Sequence, residues 1–374
     1  MILPGSMLGM LGGGQLGRMF TVAARTMGYK VTVLDPDSES PAGLLADTHL
    51  CADYHDKSAL EELGSTCAVV TTEFENVPSD TLDLLSKSVL VRPSAFAVSM
   101  TQDRINEKNF LRQNALPTNK YAPVYSASDL SDAVKVTGLP ALLKRSRLGY
   151  DGKGQVRIQT LGEAEEAFEQ MGGVPCVLEE LLSFQCEVSV VLSRGIDGEI
   201  STYPTAENIH TNGILDLTIV PARVSEELAQ RAQDVATKVA QKLGYYGVMA
   251  VEMFVMPDRR VLVNEIAPRP HNSGHYTLDA CATDQFEQQV RTVCGLPPGS
   301  TTLLSPVVMK NLLGDIWEDS EPKWDVVLQQ PSAKLHLYGK KEARPGRKMG
   351  HFNLLADEVE NALDLAQSVF DRIR

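Results

Sequence analysis

Residues 140–158 read PALLKRSRLGYDGKGQVRI: an apolar run ending in Lys144, a loop with glycines at 149, 152 and 154, and a second β-prone run. The pattern predicts a strand over 140–144, a flexible loop over Gly149–Gly154 and a further strand over 156–158. Such a loop can fold over a polyphosphate, with backbone amides on its oxygens and the charge of Lys153 beside them. A Walker A loop would read GxxxxGK followed by Ser or Thr, and no such string occurs. This is therefore a different phosphate-binding device.

Working outward, a helix over 163–170 and strands over 176–180 and 187–192 complete a small α+β lobe, about 120–185, within a region 104–300. Upstream, residues 1–103 alternate strand and helix: strands at 7–11, 30–34 and 67–72, helices at 15–27 and 78–86. That alternation predicts an α/β domain with a parallel sheet covered on both faces. A helix over 101–113 bridges the two regions. Downstream come a helix over 226–243 and a hairpin of strands 247–255 and 260–266 turning at MPDRR. Residues 301–374 read as a β-rich segment with a strand at 333–338, a basic turn KKEARPGRK and a closing helix over 358–373.

Composition narrows the class of function. The 374 residues carry a net charge of −13, against the broad basic face that nucleic acid demands. No apolar stretch approaches the ~18–20 residues of a membrane span, and the start MILPGSMLGMLGGG lacks a basic n-region and cleavage site. Six scattered cysteines predict free buried thiols in a reducing cytoplasm.

Near the N-terminus, Gly12-x-Gly14-x-x-Gly17 follows a strand and opens a helix, and Asp35 ends the next strand. This satisfies the dinucleotide fingerprint and, alone, suggests an NAD-dependent dehydrogenase. Its physical content is broader: amides at a helix N-terminus hold an anion without naming it. Glu179 and Glu180 end one strand and Glu187 begins the next, which suits ribose hydroxyls and the hinge beside an adenine. Glu252 and Glu265 lie on the two arms of the late hairpin, where paired strands can bring both to one Mg²⁺.

These features, with the phrase NEIAPRPHNSGH at 264–275, resemble the ATP-grasp superfamily. The strings GGGQLGRM, EFENVP, DR(x)₃K, GYDGKGQ, EELLSFQCE, NEIAPRPHNSGH and RPGRKMGH follow the order seen in the 5-(carboxyamino)imidazole ribonucleotide synthases, from about Gly9 to His351. The resemblance implies an ATP-grasp fold with a Rossmann-like pre-ATP-grasp domain, a small α+β lobe and a C-terminal mixed-sheet domain. It also implies ATP-dependent carboxylation of aminoimidazole ribonucleotide by bicarbonate, with Mg²⁺, in a cytoplasmic homodimer.

By that resemblance ATP is held by Arg104, Lys108, Lys144, Gly149, Tyr150, Asp151, Gly152, Lys153, Gly154, Gln155, Glu179, Glu180, Leu181, Leu182, Glu187, His210, Asn264 and Glu265. Aminoimidazole ribonucleotide falls to Gly14, Gln15, Glu73, Glu75, Tyr150, Arg344, Arg347 and Lys348. A carboxylate there can bind the exocyclic amine, Tyr150 can stack on the imidazole, and the basic turn can hold the ribose phosphate. The plain alternative for that turn is a solvated basic surface.

The catalytic candidates are Arg269, His271, Asn272 and Lys348. Arg269 would orient bicarbonate, with His271 and Asn272 hydrogen-bonding it beside the γ-phosphate. His271 and His275, four apart, suggest zinc only on a helix, which Pro268, Pro270 and Gly274 preclude; His275 is read as a packing residue. Two positions depart from the family pattern. Ala267 stands where many ATP-grasp enzymes have Asn and cannot ligate a metal, and Leu148 replaces a glycine before GYDG. A formate-dependent glycinamide ribonucleotide transformylase is the nearest rival, sharing the nucleotide site and differing at EFEN and RPGRK. A non-catalytic nucleotide sensor would lack a metal carboxylate or the loop lysine, and both are present.

Overall fold

In the computed structural model, which describes residues 1–149 and 152–373, strands Met7–Leu11, Lys30–Leu34, Thr48–Leu50, Val69–Thr72 and Leu90–Val91 form a parallel sheet. Their spatial order is third, second, first, fourth, fifth. Helix Gln15–Thr26 covers one face through Phe20 and Ala24, and the distant helix Gln285–Val293 joins it through Phe286, Val290 and Val293. Helices Lys57–Thr66 and Ser79–Leu85 cover the other. The carboxyl ends of the first, second and fourth strands deliver the glycine loop, Asp35 and Glu73 to one edge, the usual ligand edge of such a sheet.

The helix expected over 101–113 starts three residues later, at Arg104, and a separate helix precedes it. Helix Ala95–Thr101 stops, and Asp103 caps a new one, Arg104–Gln113, by accepting the N–H groups of Ile105 and Asn106 at 2.9 and 3.3 Å. The interruption follows from the Asp side chain competing for backbone donors.

The small sheet runs Tyr121–Val124, Cys176–Glu180, Ala141–Arg145, Gln155–Ile158 and is antiparallel. Helices Leu130–Thr137 and Leu161–Gln170 pack on it around Leu143, Ile158, Phe168 and Leu178. The large sheet joins Val261–Ala267, Gly247–Val255, Cys186–Arg194, Ala206–Thr211, Ile214–Val220, Val307–Leu313, Lys348–Leu355 and Ala333–Leu337 in that order, with Ile200–Thr202 beside Cys186–Arg194. A mixed sheet is expected here, but every described pairing is antiparallel. Short reversals account for its local pairs, because hairpins such as Asn212–Gly213 return the chain beside itself, and the longer connections also bring their strands back antiparallel. Among the described residues no helix is long and apolar enough to cross a membrane, and all six cysteines are free.

Candidate active site

The site lies where the three sheets meet. Glu252 and Glu265 are direct register partners on strands Gly247–Val255 and Val261–Ala267. A bulge beside them makes Val263, rather than Asn264, the partner of Met253. An extra residue leaves the ladder there, so the carbonyl of Asn264 is released to accept Lys108 Nζ at 3.0 Å. Ala267, the departure from the family pattern, packs in an apolar cluster with Ala250 and Val191.

Lys108 also donates to Asn119 Oδ1 at 2.8 Å and Thr118 Oγ1 at 3.1 Å. Its nearest carboxylate is Glu179, whose Oε2 takes Lys144 Nζ at 3.1 Å and Asn119 Nδ2 at 3.0 Å, with Lys108 at 3.7 Å. Both Lys108 and Glu179 are 2% exposed. Burial opposes ionisation of Glu179, but the two lysines outweigh it and hold the carboxyl at about 2. Glu179 thus orders two lysines, and the hinge 181–185 leads from its strand to Glu187. Leu181 and Leu182 lie in that hinge, half-buried, and Glu180 Oε1 is 3.7 Å from Lys120 Nζ.

Arg104 Nη1 meets Glu265 Oε2 at 2.6 Å, and its Nη2 donates to the carbonyl of Gly149 at 3.2 Å. Arg104 thus ties the small lobe's glycine loop to the late hairpin. Gly152 reaches the Asn212–Gly213 turn of the large sheet. Gly154 accepts the Arg145 N–H at 2.8 Å, and Gln155 pairs with Lys144. Leu148 sits at φ +60°, a conformation that glycine adopts freely and leucine at a cost of about 1 kcal/mol. Tyr150 and Asp151 lie outside the described residues.

Glu252 Oε1 lies 2.9 Å from His271 Nε2. Ser273 donates its backbone N–H to His271 Nδ1 at 3.2 Å and places its hydroxyl 2.9 Å away, and Ser189 Oγ donates to that hydroxyl at 2.8 Å. An accepting Nδ1 leaves the ring proton on Nε2, pointed at Glu252. Asn272 pairs its amide reciprocally with Asn311 at 3.0 and 2.8 Å, leaving one N–H and one lone pair for a ligand. His210 Nδ1 is 2.8 Å from Glu187 Oε2, and these two with Glu252 bring their ligand atoms within 4.8 Å of one another. Burial opposes protonation of His210; Glu187 and Glu252 overcome it and raise the pKa.

Glu252, Glu265, Glu187 and the buried Asn264 Oδ1, which has no hydrogen-bond partner, offer hard oxygen donors of the kind Mg²⁺ takes. His271 and His275 do not converge as zinc ligands. His275 is fully buried, bonded through Nδ1 to Gln285, with its ring tilted against that of His351 at 4.9 Å between centroids.

On the N-terminal side the glycine loop departs from expectation. Its amides already hold anions from the protein: Glu73 accepts from Gly14 and, at 2.7 Å, from Gly17, while Asp35 accepts from Gly13 at 2.7 Å. A pyrophosphate would have to displace both carboxylates, and Asp35 is not free for a ribose, so the NAD reading fails. Burial pushes the Glu73 carboxyl up, only partly offset by the two amides. Gln15 opens the helix beside this loop. Glu75 accepts Arg269 Nε at 2.5 Å through Oε2. Burial opposes its ionisation, but Arg269 prevails and the carboxyl is held low.

The basic turn is not a loosely solvated run. Gly314 donates to the Arg347 carbonyl at 2.8 Å, Gly346 donates to Asp315 Oδ2 at 2.8 Å, and a Cβ on Gly314 would collide with the Arg344 backbone. Arg347 Nη1 donates to the Glu342 carbonyl at 2.9 Å and Arg344 Nε is 3.2 Å from Glu342 Oε2. Lys341 pairs with Glu39 of the N-terminal domain, Lys340 donates to the Lys348 carbonyl at 2.8 Å, and the charge of Lys340 reaches Glu73. The charge of Lys348 reaches His210. Lys340, Asn119, Asn311, Ser189 and Gln285 are site residues the sequence reading did not single out. Only Lys340 carried a signal, its place in the basic run.

The chain matches the ribonucleotide synthetase preATP-grasp domain over residues 6–102, the ATP-grasp domain over 109–286 and the phosphoribosylaminoimidazole carboxylase C-terminal domain over 307–364. It is 46% identical to the N5-carboxyaminoimidazole ribonucleotide synthase of Bacillus subtilis, over 95% of this chain and 92% of that one. The chain belongs to the N5-carboxyaminoimidazole ribonucleotide synthase family. The Brucella melitensis member is 45% identical over 93% of this chain and 96% of its own. The family's solved structures superpose closely. The Thermus thermophilus enzyme has a TM-score of 0.91 at 39% identity, covering 98% of each chain. The Aspergillus clavatus enzyme, in complex with ADP and 5-aminoimidazole ribonucleotide, has a TM-score of 0.91 at 32% identity, again over 98% of each. As a member of the N5-carboxyaminoimidazole ribonucleotide synthase family, this protein is an ATP-dependent ligase of purine biosynthesis with the ATP-grasp fold and an N-terminal parallel-sheet domain.

Proposed function

We propose that this site carboxylates the exocyclic amine of aminoimidazole ribonucleotide with bicarbonate, at the expense of ATP, and that the residues above divide the work as follows. Arg269 carries the reading, because it stands between the Glu252/Glu265 hairpin and the Glu73–Glu75 loop and can hold a bicarbonate between them. Arg104, Lys144 and the glycine loop hold the triphosphate, with Lys108, its three donors spent on Asn119, Thr118 and the Asn264 carbonyl, supporting Glu179 behind Lys144, while Glu187, His210 and the hinge hold the nucleoside. Glu252 and Glu265 would hold Mg²⁺, which when bound would supply charge neutralisation on the phosphates.

A bicarbonate oxygen attacks the γ-phosphorus and the bond to ADP breaks, giving carboxyphosphate. The amine nitrogen then bonds to the carboxyl carbon, directly or through released CO₂; phosphate leaves and the amine gives up a proton. His271 donates through Nε2 toward this region and Asn272 offers its second N–H. Glu73, made more basic by burial, accepts a hydrogen bond from the amine. Arg344, Arg347 and Lys348 take the ribose phosphate. Closure of the loop over the cleft keeps water from the intermediate. The free thiols and the family resemblance support a cytoplasmic enzyme, and the resemblance supports a homodimer, which sedimentation would check.

The test is ADP release from ATP, Mg²⁺ and bicarbonate, with and without aminoimidazole ribonucleotide. Strong stimulation by that nucleotide is expected. Release indifferent to it would overturn the choice of acceptor and leave ATP-dependent ligation of another amine.

A further inference from the structure

Helix Gln285–Val293 begins QFEQQ, and its glutamines at 285, 288 and 289 are all buried. Buried carboxamides need partners on both ends, and each of these finds them in a different segment. Gln289 Oε1 accepts the Val248 N–H at 2.5 Å and its Nε2 donates to Thr71 Oγ1 at 2.9 Å, joining the large sheet to the N-terminal sheet. Gln288 holds both the N–H and the carbonyl of Gly299, at 2.7 and 3.2 Å. Gln285 does the same to His271, accepting its N–H at 2.9 Å and donating to its carbonyl at 2.9 Å, with His275 Nδ1 3.0 Å from the same nitrogen.

Gln285 thus acts toward His271 as a neighbouring strand would, where Pro268 and Pro270 rule out a regular ladder. The fit is close. A Cβ placed on Gly274 would lie 2.5 Å from Gln285 Oε1, so the turn Asn272–Gly274 is wrapped against the carboxamide with no space between. Phe286, Val290 and Val293 of the same helix are packed into the N-terminal core with Leu8 and Met10. One rigid element therefore carries both the N-terminal sheet, which delivers Glu73 and Glu75, and the clamp on His271.

We infer that Gln285 is a positioning residue for the reaction: it fixes the His271 backbone, and through it the Nε2–H directed at Glu252, in register with the N-terminal domain. The inference rests on the role proposed above for His271. It deepens that role and assigns a function to a side chain that touches neither ATP nor the reacting atoms.

The test compares Gln285→Glu, Gln285→Met and Gln288→Glu with His271→Ala, each assayed for ADP release stimulated by aminoimidazole ribonucleotide and for thermal melting. Glu keeps the acceptor for the His271 N–H and sets a lone pair against its carbonyl; Met keeps the length and loses both bonds. For whichever Gln285 variant folds, kcat is expected to fall tenfold or more with KM for ATP within twofold. Gln288→Glu, the same chemistry on Gly299, should lower the melting temperature comparably and leave kcat within twofold. Equal losses of kcat at 285 and 288, or retained kcat in both Gln285 variants, would overturn the inference. So would failure of both to fold while Gln288→Glu folds, since the clamp would then serve stability alone. His271→Ala separates the two layers. If it retains kcat, the role of His271 itself fails; if it loses kcat while the Gln285 variants do not, only the positioning role fails.

Discussion

Arg269 Nε and Glu75 Oε2 lie 2.5 Å apart although 194 residues separate them in the chain, and they are the ion pair that joins the late hairpin region to the N-terminal loop. Each is a poor tenant of this part-buried site without the other. Arg269 Nη1 also donates to the Pro270 carbonyl at 3.2 Å. Arg269→Ala is expected to lower product formation by more than about a hundredfold, in line with removing a preorganised charge. ATP affinity, measured by calorimetry, should stay within threefold. A comparable loss of ATP affinity would place Arg269 on the nucleotide instead.

Lys108→Met removes one of two cations beside a carboxylate that is almost wholly buried. Leaving Glu179 short of charge compensation should cost roughly 3–5 kcal/mol of stability. Urea unfolding measures it, and the double variant Lys108→Met/Glu179→Gln should recover part of the loss. The folded pKa of Glu179 is depressed, so its contribution is present above its unfolded pKa near ~4.3 and fades as pH falls toward about 2.

Glu107 has the opposite sign. Burial first, then the charge of Glu265, pushes its carboxyl well above the usual range, and Lys108 and Arg104 do not compensate. Below about pH 4.3 both folded and unfolded chains hold this proton. Above it the unfolded chain releases the proton while the folded chain keeps it, so stability falls as pH rises toward the folded pKa. Glu107→Gln should match the wild type near pH 4 and melt about 2–4 °C higher at pH 8. A melting difference independent of pH would assign the effect to packing.

The basic turn makes a separable prediction. Arg347→Ala should raise KM for aminoimidazole ribonucleotide about tenfold or more, the worth of one charge-assisted bond of ~1.5–3 kcal/mol. KM for ATP should be unchanged. Asp315→Ala, which touches no ligand but releases the Gly346 N–H, should move KM in the same direction by less. Steady-state kinetics at two salt concentrations check both, since a phosphate contact weakens with salt.

Chelation of Mg²⁺ should stop ADP release. Glu252→Gln should raise the Mg²⁺ concentration for half-maximal rate about tenfold, because a carboxylate ligand is replaced by a neutral oxygen. Titrating Mg²⁺ at saturating ATP distinguishes this from a folding defect, which excess metal would not rescue.

Much of this protein is written locally. Alternating apolar runs and glycine turns over residues 1–103 specify a parallel sheet, although its short edge strands Thr48–Leu50 and Leu90–Val91 are not read from the sequence. Glu226–Leu243 declares its helix by Ser225 at one end and Gly244 at the other. The glycine loop and the paired glutamates are also legible, because each is a short string whose chemistry its own residues carry, whereas the basic turn read by itself is a solvated surface run and gains a role only from the resemblance. What the string does not carry is who neutralises whom. Glu75 and Arg269, Glu179 with Lys108 and Lys144, and Glu73 on the Gly14 and Gly17 amides are pairings between distant segments, fixed only when three sheets pack. The glycine loop reads the same whether its anion is a cofactor or a side chain, and only the approach of the fourth strand decides for Glu73. Gln285 is the extreme case: in sequence a polar residue in an amphipathic helix, and in the fold a second strand for His271. Hydrogen bonds and ion pairs act over a few ångströms, so their partners are set by tertiary proximity, whereas turns, caps and periodicity are set by neighbours along the chain.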